Sequence, residues 1–231
     1  MKKIIKKVKI SIKKILRFEV SEKADISIST ERLGSDYGGW TIEKGSVSKE
    51  TIVYSFGVGE DVSFDIALIE KYNAIVHAFD PTPKSIEWVK DNVSKSEFIL
   101  HEYGISDFDG EIQFNPPTNP DHISHTILDR NETHKNAITV PVRNLATIMH
   151  LLGHNHVDIL KMDIEGAEYD VVENMIAAGI FPNQLLIEYH HRFSGVGITK
   201  TSDSIQKLRE VGYALFSISE TNEEYSFKLI K

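Results

Sequence analysis

Short apolar runs alternate with helix-like patterns along the middle of the chain. The runs that predict strands are 51–56, 75–79, 98–102, 157–162 and 184–189. The patterns between them predict helices near 61–72, 83–93, 143–152 and 165–178. Because the strand runs are apolar at almost every position, both faces of each strand are expected to be buried, as in a parallel sheet covered by helices. The alternation predicts a doubly wound α/β fold.

The end of the chain predicts one strand of opposite direction. Residues 200–211 predict a helix, and 213–219 and 225–230 predict two strands joined by the short turn 220–224. A parallel crossover needs about a dozen residues or more, so these two strands are expected to pair antiparallel. The sequence therefore predicts a mostly parallel, seven-stranded, Rossmann-like sheet with an antiparallel terminal strand.

Three segments interrupt the alternation. Residues 19–50 are polar with little periodicity, and we interpret them as a lead-in segment before a main domain at 51–231. Residues 104–114 predict a small hairpin with its turn at Asp109-Gly110. Residues 115–137 contain three prolines and three histidines without a clear period, which is typical of an inserted loop.

Residues 1–18 predict a separate basic amphipathic helix. In a helical projection six apolar side chains fall within an arc of about 120°, and the eight basic side chains of residues 1–17 fall opposite. Its uninterrupted apolar stretches are much shorter than the ~20 residues that span a bilayer, and no small-residue cleavage site follows it. Either it binds an anionic membrane surface, or it is a lysine-rich start that is solvated or docked on the rest of the chain. The first interpretation predicts a cytoplasmic protein, peripheral on the inner face of the membrane.

The amino-acid composition excludes several classes of protein. With 41% hydrophobic and 26% charged residues, the chain is neither disordered nor fibrous. It contains no cysteine, which excludes thiol catalysis and thiolate zinc sites. Removing the basic segment 1–17 leaves 18 basic against 34 acidic residues, a net charge of −16. Such an acidic body argues against nucleic acid as the partner.

A turn with two glycines follows the first strand of the main domain. Gly57 and Gly59 allow a tight backbone turn, and the next helix offers unpaired N–H groups. A dinucleotide would require a third glycine where Val62 stands, and Glu60 and Asp61 would repel its pyrophosphate. A cationic ligand such as S-adenosylmethionine suits this turn better, and Gly57, Gly59 and Glu60 are its candidate contacts. An ordinary αβ turn is the alternative interpretation.

Polar side chains follow the next two strands. Asp80 lies 21 residues after Gly59, close to the spacing at which an acidic side chain binds ribose hydroxyls in nucleoside-binding α/β proteins. Asp80 also suits a helix cap ahead of Pro83. Ser106 and Asp107 follow the third strand, where a polar side chain would contact the adenine amino group, although Asp107 equally suits a turn.

The most distinctive string follows the fourth strand. Residues 161–168, KMDIEGAE, place three carboxylates and a lysine at the end of a buried strand. Charges are costly there unless they are paired or used. Part of the cluster also has a structural interpretation, because Glu165 and Glu168 suit the N-terminus of the following helix.

This string follows SFGVGED (55–61) and HAFDPTP (77–83), and together they resemble the FkbM-type family of S-adenosylmethionine-dependent methyltransferases. The resemblance covers roughly residues 35–195. It implies a class I methyltransferase fold and O-methylation, commonly of a sugar or polyketide-type hydroxyl. The stretch Tyr37-Gly38-Gly39-Trp40, ahead of the glycine turn, would then close over the methionine end or the adenine of the cofactor.

Candidate catalytic residues end the fourth and fifth strands. O-methyl transfer needs a group that aligns the acceptor hydroxyl and takes its proton, and His190 suits this task at neutral pH. Asp163 or Glu188 would orient His190 or serve as the base instead. Any single histidine has the alternative of a packed or surface side chain. The candidates for substrate contact are His125, His191 and Arg192.

No metal is expected from the sequence. The histidine pairs at 122/125 and 154/156 have zinc-like spacings, but each pair lacks further ligands. Magnesium on Asp163 and Glu188 is conceivable, although nothing in the sequence requires it.

The sequence thus predicts a methyltransferase that uses S-adenosylmethionine to methylate a hydroxyl, in a sugar of a glycan or glycolipid precursor. The alternative is a catalytically inactive module of the same fold that binds or scaffolds at a membrane surface.

Overall fold

The computed structural model describes residue 10 and residues 19–114 and 137–230. The helix predicted over 1–18, apart from Ile10, and the inserted loop with His125, except residue 137, lie outside the described residues. Among the described residues no helix combines the length and apolar character needed to cross a membrane.

A seven-stranded sheet forms the centre of the molecule. Its strands, in chain order, are β3 (Ile52–Phe56), β4 (Ile75–Phe79), β5 (Phe98–His101), β9 (Ile159–Met162), β10 (Gln184–Glu188), β11 (Tyr213–Ile218) and β12 (Glu224–Leu229). Their order across the sheet is β11-β12-β10-β9-β3-β4-β5. β12 runs opposite to the other six strands of this sheet. The predicted fold class is confirmed, and the last strand of the chain lies inside the sheet, between β10 and β11.

Five helices connect or flank these strands. They are α1 (Ser63–Tyr72), α2 (Pro83–Asn92), α3 (Leu145–Leu152), α4 (Glu168–Ala177) and α5 (Gly197–Glu210). Side chains on the two faces of the sheet belong to two different buried clusters. On one face Tyr54 and Phe56 pack with α3, α4 and α5, and on the other Val53 and Val76 pack with α1 and α2. Burial of both faces explains why the strands are apolar at successive positions.

The lead-in segment contains an antiparallel hairpin that the sequence pattern did not predict. It consists of β1 (Thr30–Leu33) and β2 (Trp40–Glu43). Trp40 and Ile42 belong to the buried cluster on the α1 face, and the Ser226 hydroxyl donates to the Thr41 carbonyl at 2.8 Å. The hairpin therefore packs on the central sheet, and its turn, residues 34–39, lies near the carboxyl ends of the strands.

The hairpin predicted over 104–114 is wrong. β6 (Gly104–Ile105) and β7 (Gly110–Phe114) each pair with β8 (Ile138–Arg143), in parallel and antiparallel directions respectively. The buried side chains of β8 alternate with exposed ones, so this strand supplies the apolar face that β6 and β7 share. Asp109 accepts hydrogen bonds from the Asn144 N–H and the Thr147 hydroxyl, and so stabilises the start of α3.

Burial disfavours the charged form of a cluster of histidines at the β4–β5 side of the sheet. His77 Nδ1 lies 3.0 Å from His101 Nε2, and the Tyr54 hydroxyl lies 2.7 Å from His154 Nδ1. Burial, with the neighbouring histidines, lowers the pKa of His77 from 6.5 to about 4. Burial also lowers the pKa of His101 and His154. Protonation therefore favours the unfolded chain.

We expect stability to fall as the pH drops from about 6.5 to about 4. Because the folded pKa of His77 is depressed, its contribution is complete above the unfolded pKa and is lost below it, by about 2 kcal/mol near pH 4.5. Urea denaturation across this range measures the slope. His77→Phe should reduce the dependence of stability on pH, whereas His150→Gln, at an exposed histidine, should not change it. An unchanged slope in His77→Phe would contradict this account.

Candidate active site

A cavity of about 880 Å³ opens at the carboxyl ends of β3, β4, β9 and β10. The chain order of the strands reverses on either side of β3, and ligands of open α/β sheets bind at such a point. Seven of the predicted site residues line the cavity: Trp40, Gly57, Gly59, Glu60, Asp80, Asp163 and Glu188.

The first wall of the cavity is the glycine turn after β3. Gly57 has φ of 72°, and a Cβ atom there would lie 1.7 Å from the backbone oxygen of Asp163. The Gly57 N–H donates to the Phe79 carbonyl at 2.9 Å, and the Asp163 N–H donates to the Phe56 carbonyl at 3.2 Å. Three strand ends therefore meet where only glycine fits.

Asp80 joins this turn to the next helix. Its Oδ2 accepts from the Gly59 N–H at 3.0 Å. Its Oδ1 accepts from the N–H and the hydroxyl of Thr82 at 2.9 and 2.6 Å. Thr82 is the N-cap of α2, and Pro83 is its first residue. The carboxylate is 5% exposed and fixed on both sides, and Oδ2 keeps one acceptor position.

Lys161 is a cavity residue that the sequence reasoning noted but assigned no role. Its side chain is 6% exposed, and Nζ donates to the carbonyls of Phe56 and Gly57 at 3.1 and 2.6 Å. Nζ also lies 5.7 Å from the centre of the Trp40 ring. A lysine in a buried apolar strand was the available signal, since a buried ammonium must be paired.

The base predicted at position 190 has an unexpected setting. His190 is 8% exposed and is absent from the cavity wall. Nδ1 lies 2.8 Å from Oε1 of Glu168, while Nε2 lies 3.7 Å from Asp163 Oδ1 and 3.6 Å from Glu165 Oε2. Burial favours the neutral ring, but these three carboxylates outweigh it and hold the pKa of His190 well above 6.5. A ring that binds its proton so firmly is a poor base, so the cavity itself must offer the proton acceptor.

Two carboxyl groups on the cavity wall provide that acceptor. Burial and the neighbouring charge of Asp163 raise the pKa of Glu188 from 4.5 to about 9. Burial also raises the pKa of Asp163, against the opposing charges of Lys161 and His190. Two interacting acids of this kind titrate as a pair, in which the first proton is lost more readily than the second.

Several predicted contacts lie away from the cavity wall. The Ser106 hydroxyl donates to the exposed Asp107 at 3.0 Å, and neither residue lines the cavity. His191 and Arg192 both bind the buried carboxylate of Glu19. These four residues therefore have structural partners and are left out of the site that we propose.

Of the two histidine pairs with zinc-like spacing, 122/125 lies outside the described residues, and the two members of 154/156 have separate partners. His154 bonds to Tyr54, and His156 lies 3.6 Å from Asp158.

The small sheet supplies cavity residues that the sequence did not indicate, and the β1–β2 turn supplies Tyr37, which belongs to the stretch expected to close over the cofactor. Ile105, Ile112 and Phe114 form an apolar part of the wall beside Phe79. Tyr37 lies at the mouth with 88% of its surface exposed. The turn that carries it is fixed by a 2.7 Å hydrogen bond from the Ser35 hydroxyl to Asp61. Each residue reaches the cavity through strand pairings that local periodicity does not reveal.

Comparison with known proteins gives related sequences. The human protein "Probable methyltransferase-like protein 24" is 25% identical over 185 residues, which cover 79% of this chain and 42% of that protein. "Hexuronic acid methyltransferase AglP" of Haloferax volcanii is 27% identical over 169 residues, covering 66% of this chain and 65% of that protein. The chain spans less than two thirds of the length of either relative.

A solved structure and a family model agree with these relatives. The crystal structure of methyltransferase FkbM from Methylobacillus flagellatus superposes with a TM-score of 0.50 at 15% identity, over 78% of this chain and 44% of that chain. At this identity the likeness concerns the fold alone. The model of the methyltransferase FkbM domain matches residues 52–215, well over half of the chain. The chain therefore belongs to the FkbM methyltransferase domain family.

Proposed function

We propose that this protein transfers the methyl group of S-adenosylmethionine to a hydroxyl oxygen of a sugar. The observation that carries the proposal is the hydrogen bond from the Gly59 N–H to Asp80, in a cavity that Asp163 and Glu188 also line. A nucleoside site and a pair of proton acceptors thus share one cavity.

The cofactor's sugar and base are assigned to the β3–β4 side. Asp80 accepts hydrogen bonds from the ribose hydroxyls, because Oδ2 keeps an acceptor position. The apolar wall formed by Phe79, Ile105 and Ile112 suits the adenine ring. Glu60 and Asp61 disfavour a pyrophosphate in place of the sulfonium. The lysine that pairs with Glu60, Lys84, lies 3.5 Å away and is half exposed, so solvent and salt screen its charge.

Methyl transfer is an in-line displacement. The acceptor oxygen bonds to the methyl carbon as the carbon–sulfur bond breaks, which leaves the neutral thioether S-adenosylhomocysteine. The proton of the hydroxyl passes to the ionised member of the Asp163–Glu188 pair. The negative wall also stabilises the sulfonium cation in the bound cofactor. The protein supplies alignment and a proton acceptor, as such a displacement requires.

Two observations support a sugar as the methyl acceptor: the name of one relative, AglP, and the polar side chains that line one side of the cavity. AglP is by its name a hexuronic acid methyltransferase. Glu188, Thr221, Glu223 and Glu224 line the cavity at the β10–β12 side, where they offer hydrogen bonds to sugar hydroxyls. Membrane contact through residues 1–18 stays a prediction.

Calorimetric titration with S-adenosylmethionine tests the cofactor assignment. Asp80→Ala should weaken binding by about 10- to 100-fold, because it removes hydrogen bonds to a charged acceptor. Asp107→Ala, outside the cavity, is the matched control and should bind like the unmodified protein. No binding by the unmodified protein, or equal binding by Asp80→Ala, would refute the assignment.

Transfer of a labelled methyl group tests the reaction. The protein is incubated with labelled cofactor and uronic-acid glycans or sugar nucleotides, and the label should appear as a base-stable ether on the sugar. Label on a carboxyl ester or an amine would contradict O-methylation of a hydroxyl.

A further inference from the structure

Three side chains of the acidic end of the cavity have the arrangement of metal ligands. Asp163, Glu165 and His190 each direct one ligand atom to a common region, and these atoms lie within 4.8 Å of one another. His190 Nε2 is 3.7 Å from Asp163 Oδ1 and 3.6 Å from Glu165 Oε2. Ligand atoms about 2.0–2.2 Å from one ion are roughly 3 to 3.6 Å apart, so these separations are close to those of a bound site.

The orientation of His190 is an independent observation. The side chain is more than nine-tenths buried, and its Nδ1 is held by Glu168, so that Nε2 faces the gap between the two other carboxylates. Glu168 is itself fully buried and accepts from the N–H groups of Ile164 and Gly166. Histidine ligands of metal ions are oriented by a carboxylate on their other nitrogen in this way. At 3.6 and 3.7 Å, Nε2 is beyond hydrogen-bond distance from both oxygens.

The charges around this gap favour a cation. Four carboxyl groups, those of Asp163, Glu165, Glu168 and Glu188, act on or near the His190 ring, and the charge of Lys161 acts on Asp163. Glu168 Oε2 is buried and has no hydrogen-bond partner among the described residues. A divalent ion in this gap would be attracted by the carboxyl groups that ionise around it.

We propose that Asp163, Glu165 and His190 bind a divalent cation of the Mn²⁺ or Mg²⁺ kind, with the proton on Nε2 displaced by the ion. Two carboxylates with one imidazole form a ligand set that suits these oxygen-preferring ions, and the set lacks the thiolates that are typical of structural zinc sites. Asp163 and Glu165 also line the cavity, so the remaining coordination positions would face its interior. With Asp163 bound to the ion, Glu188 would be the member of the pair that takes the hydroxyl proton.

The role of the ion rests on the proposed function, whereas its binding does not. A sugar with two neighbouring oxygens, such as vicinal hydroxyls or a carboxylate beside a hydroxyl, would chelate the open positions. Chelation would fix which hydroxyl is presented to the methyl group, and would favour uronic acids over sugars with isolated hydroxyls.

Direct binding of Mn²⁺ to the full chain, freed of metal with a chelator, tests the site. Electron paramagnetic resonance should show one bound equivalent, and the spin-echo spectrum should show coupling to an imidazole nitrogen, which carboxylates alone cannot produce. Glu165→Gln should weaken binding roughly tenfold or more, and the exposed Asp170→Asn in α4 should leave it unchanged. No bound Mn²⁺ at millimolar concentration, or no nitrogen coupling, would overturn the proposal, whether or not the variant folds.

A second measurement separates this proposal from the proposed function. Calorimetry with S-adenosylmethionine in the presence of the chelator should show unimpaired cofactor binding, while labelled methyl transfer should fall at least tenfold and return with Mn²⁺. Full transfer in the chelator would refute the ion's role in presenting the acceptor. Mn²⁺ binding without transfer to any sugar would instead refute the proposed acceptor and leave the metal site standing.

Discussion

Alanine at position 57 should lower the free energy of unfolding by about 3 to 4 kcal/mol and abolish binding of S-adenosylmethionine. The new Cβ atom would lie 1.7 Å from the Asp163 backbone oxygen, at a residue with φ of 72°. Both partners are backbone and are fixed by hydrogen bonds to Phe79 and Phe56. Relief would require β3 and β9 to separate at their carboxyl ends, which carry the glycine turn and Asp163.

Gly59→Ala is the matched control for this variant. Gly59 also has a positive φ, 56°, but a Cβ atom there meets nothing within 4 Å. Only the left-handed backbone penalty of about 1 kcal/mol applies. Urea denaturation and thermal melting measure both variants, and the extra loss in Gly57→Ala corresponds to roughly 5–10 °C for a chain of this size. Equal losses in the two variants would contradict the steric account.

The central sheet was predictable because each of its strands carries its own signal. The runs at 51–56, 75–79 and 157–162 are apolar on both faces, and the structure places the corresponding strands under helices on either side. The five-residue turn at 220–224 fixed the direction of the last strand. Its place between β10 and β11 depends on pairing across the sheet, which local periodicity does not encode.

The small sheet shows where local reading fails. Gly104 and Gly110 lie close in sequence, as in a hairpin, yet both pair with Val142, which is 38 and 32 residues further along the chain. The Asp109-Gly110 signal was real, but Asp109 stabilises the start of α3 and does not close a turn between β6 and β7. A third strand can replace a local partner whenever it offers a better apolar face.

The candidate site was likewise predictable only in part. Gly57, Asp80 and Asp163 directly follow strands of the sheet, so their convergence follows from strand order alone. The environment of His190 does not follow from strand order. Its partner Glu168 comes from the first turn of α4, and only packing sets the 2.8 Å between His190 Nδ1 and Glu168 Oε1. Sequence thus locates the groups at strand ends, and tertiary contacts decide which of them face the cavity.

Lys161→Met should destabilise the protein by about 3 kcal/mol. Methionine keeps most of the volume but cannot donate to the Phe56 and Gly57 carbonyls, which Nζ now contacts at 3.1 and 2.6 Å. The substitution also removes the positive charge that acts on Asp65, which is 2% exposed and whose pKa is raised by burial. Lys84→Met, at a half-exposed lysine of α2, is the control and should change stability by less than about 0.5 kcal/mol.

A double-mutant cycle with Asp65→Asn separates the two causes. If the ammonium stabilises the buried carboxyl group, the loss in Lys161→Met should shrink by about 1 kcal/mol or more when Asp65 is already an amide. If Lys161 acts only through the two carbonyls, the losses should add, and the binding of S-adenosylmethionine should weaken equally with and without Asp65→Asn. Urea denaturation of the four proteins measures the coupling. A loss below about 1 kcal/mol in Lys161→Met itself would show that the buried ammonium does not hold the glycine turn.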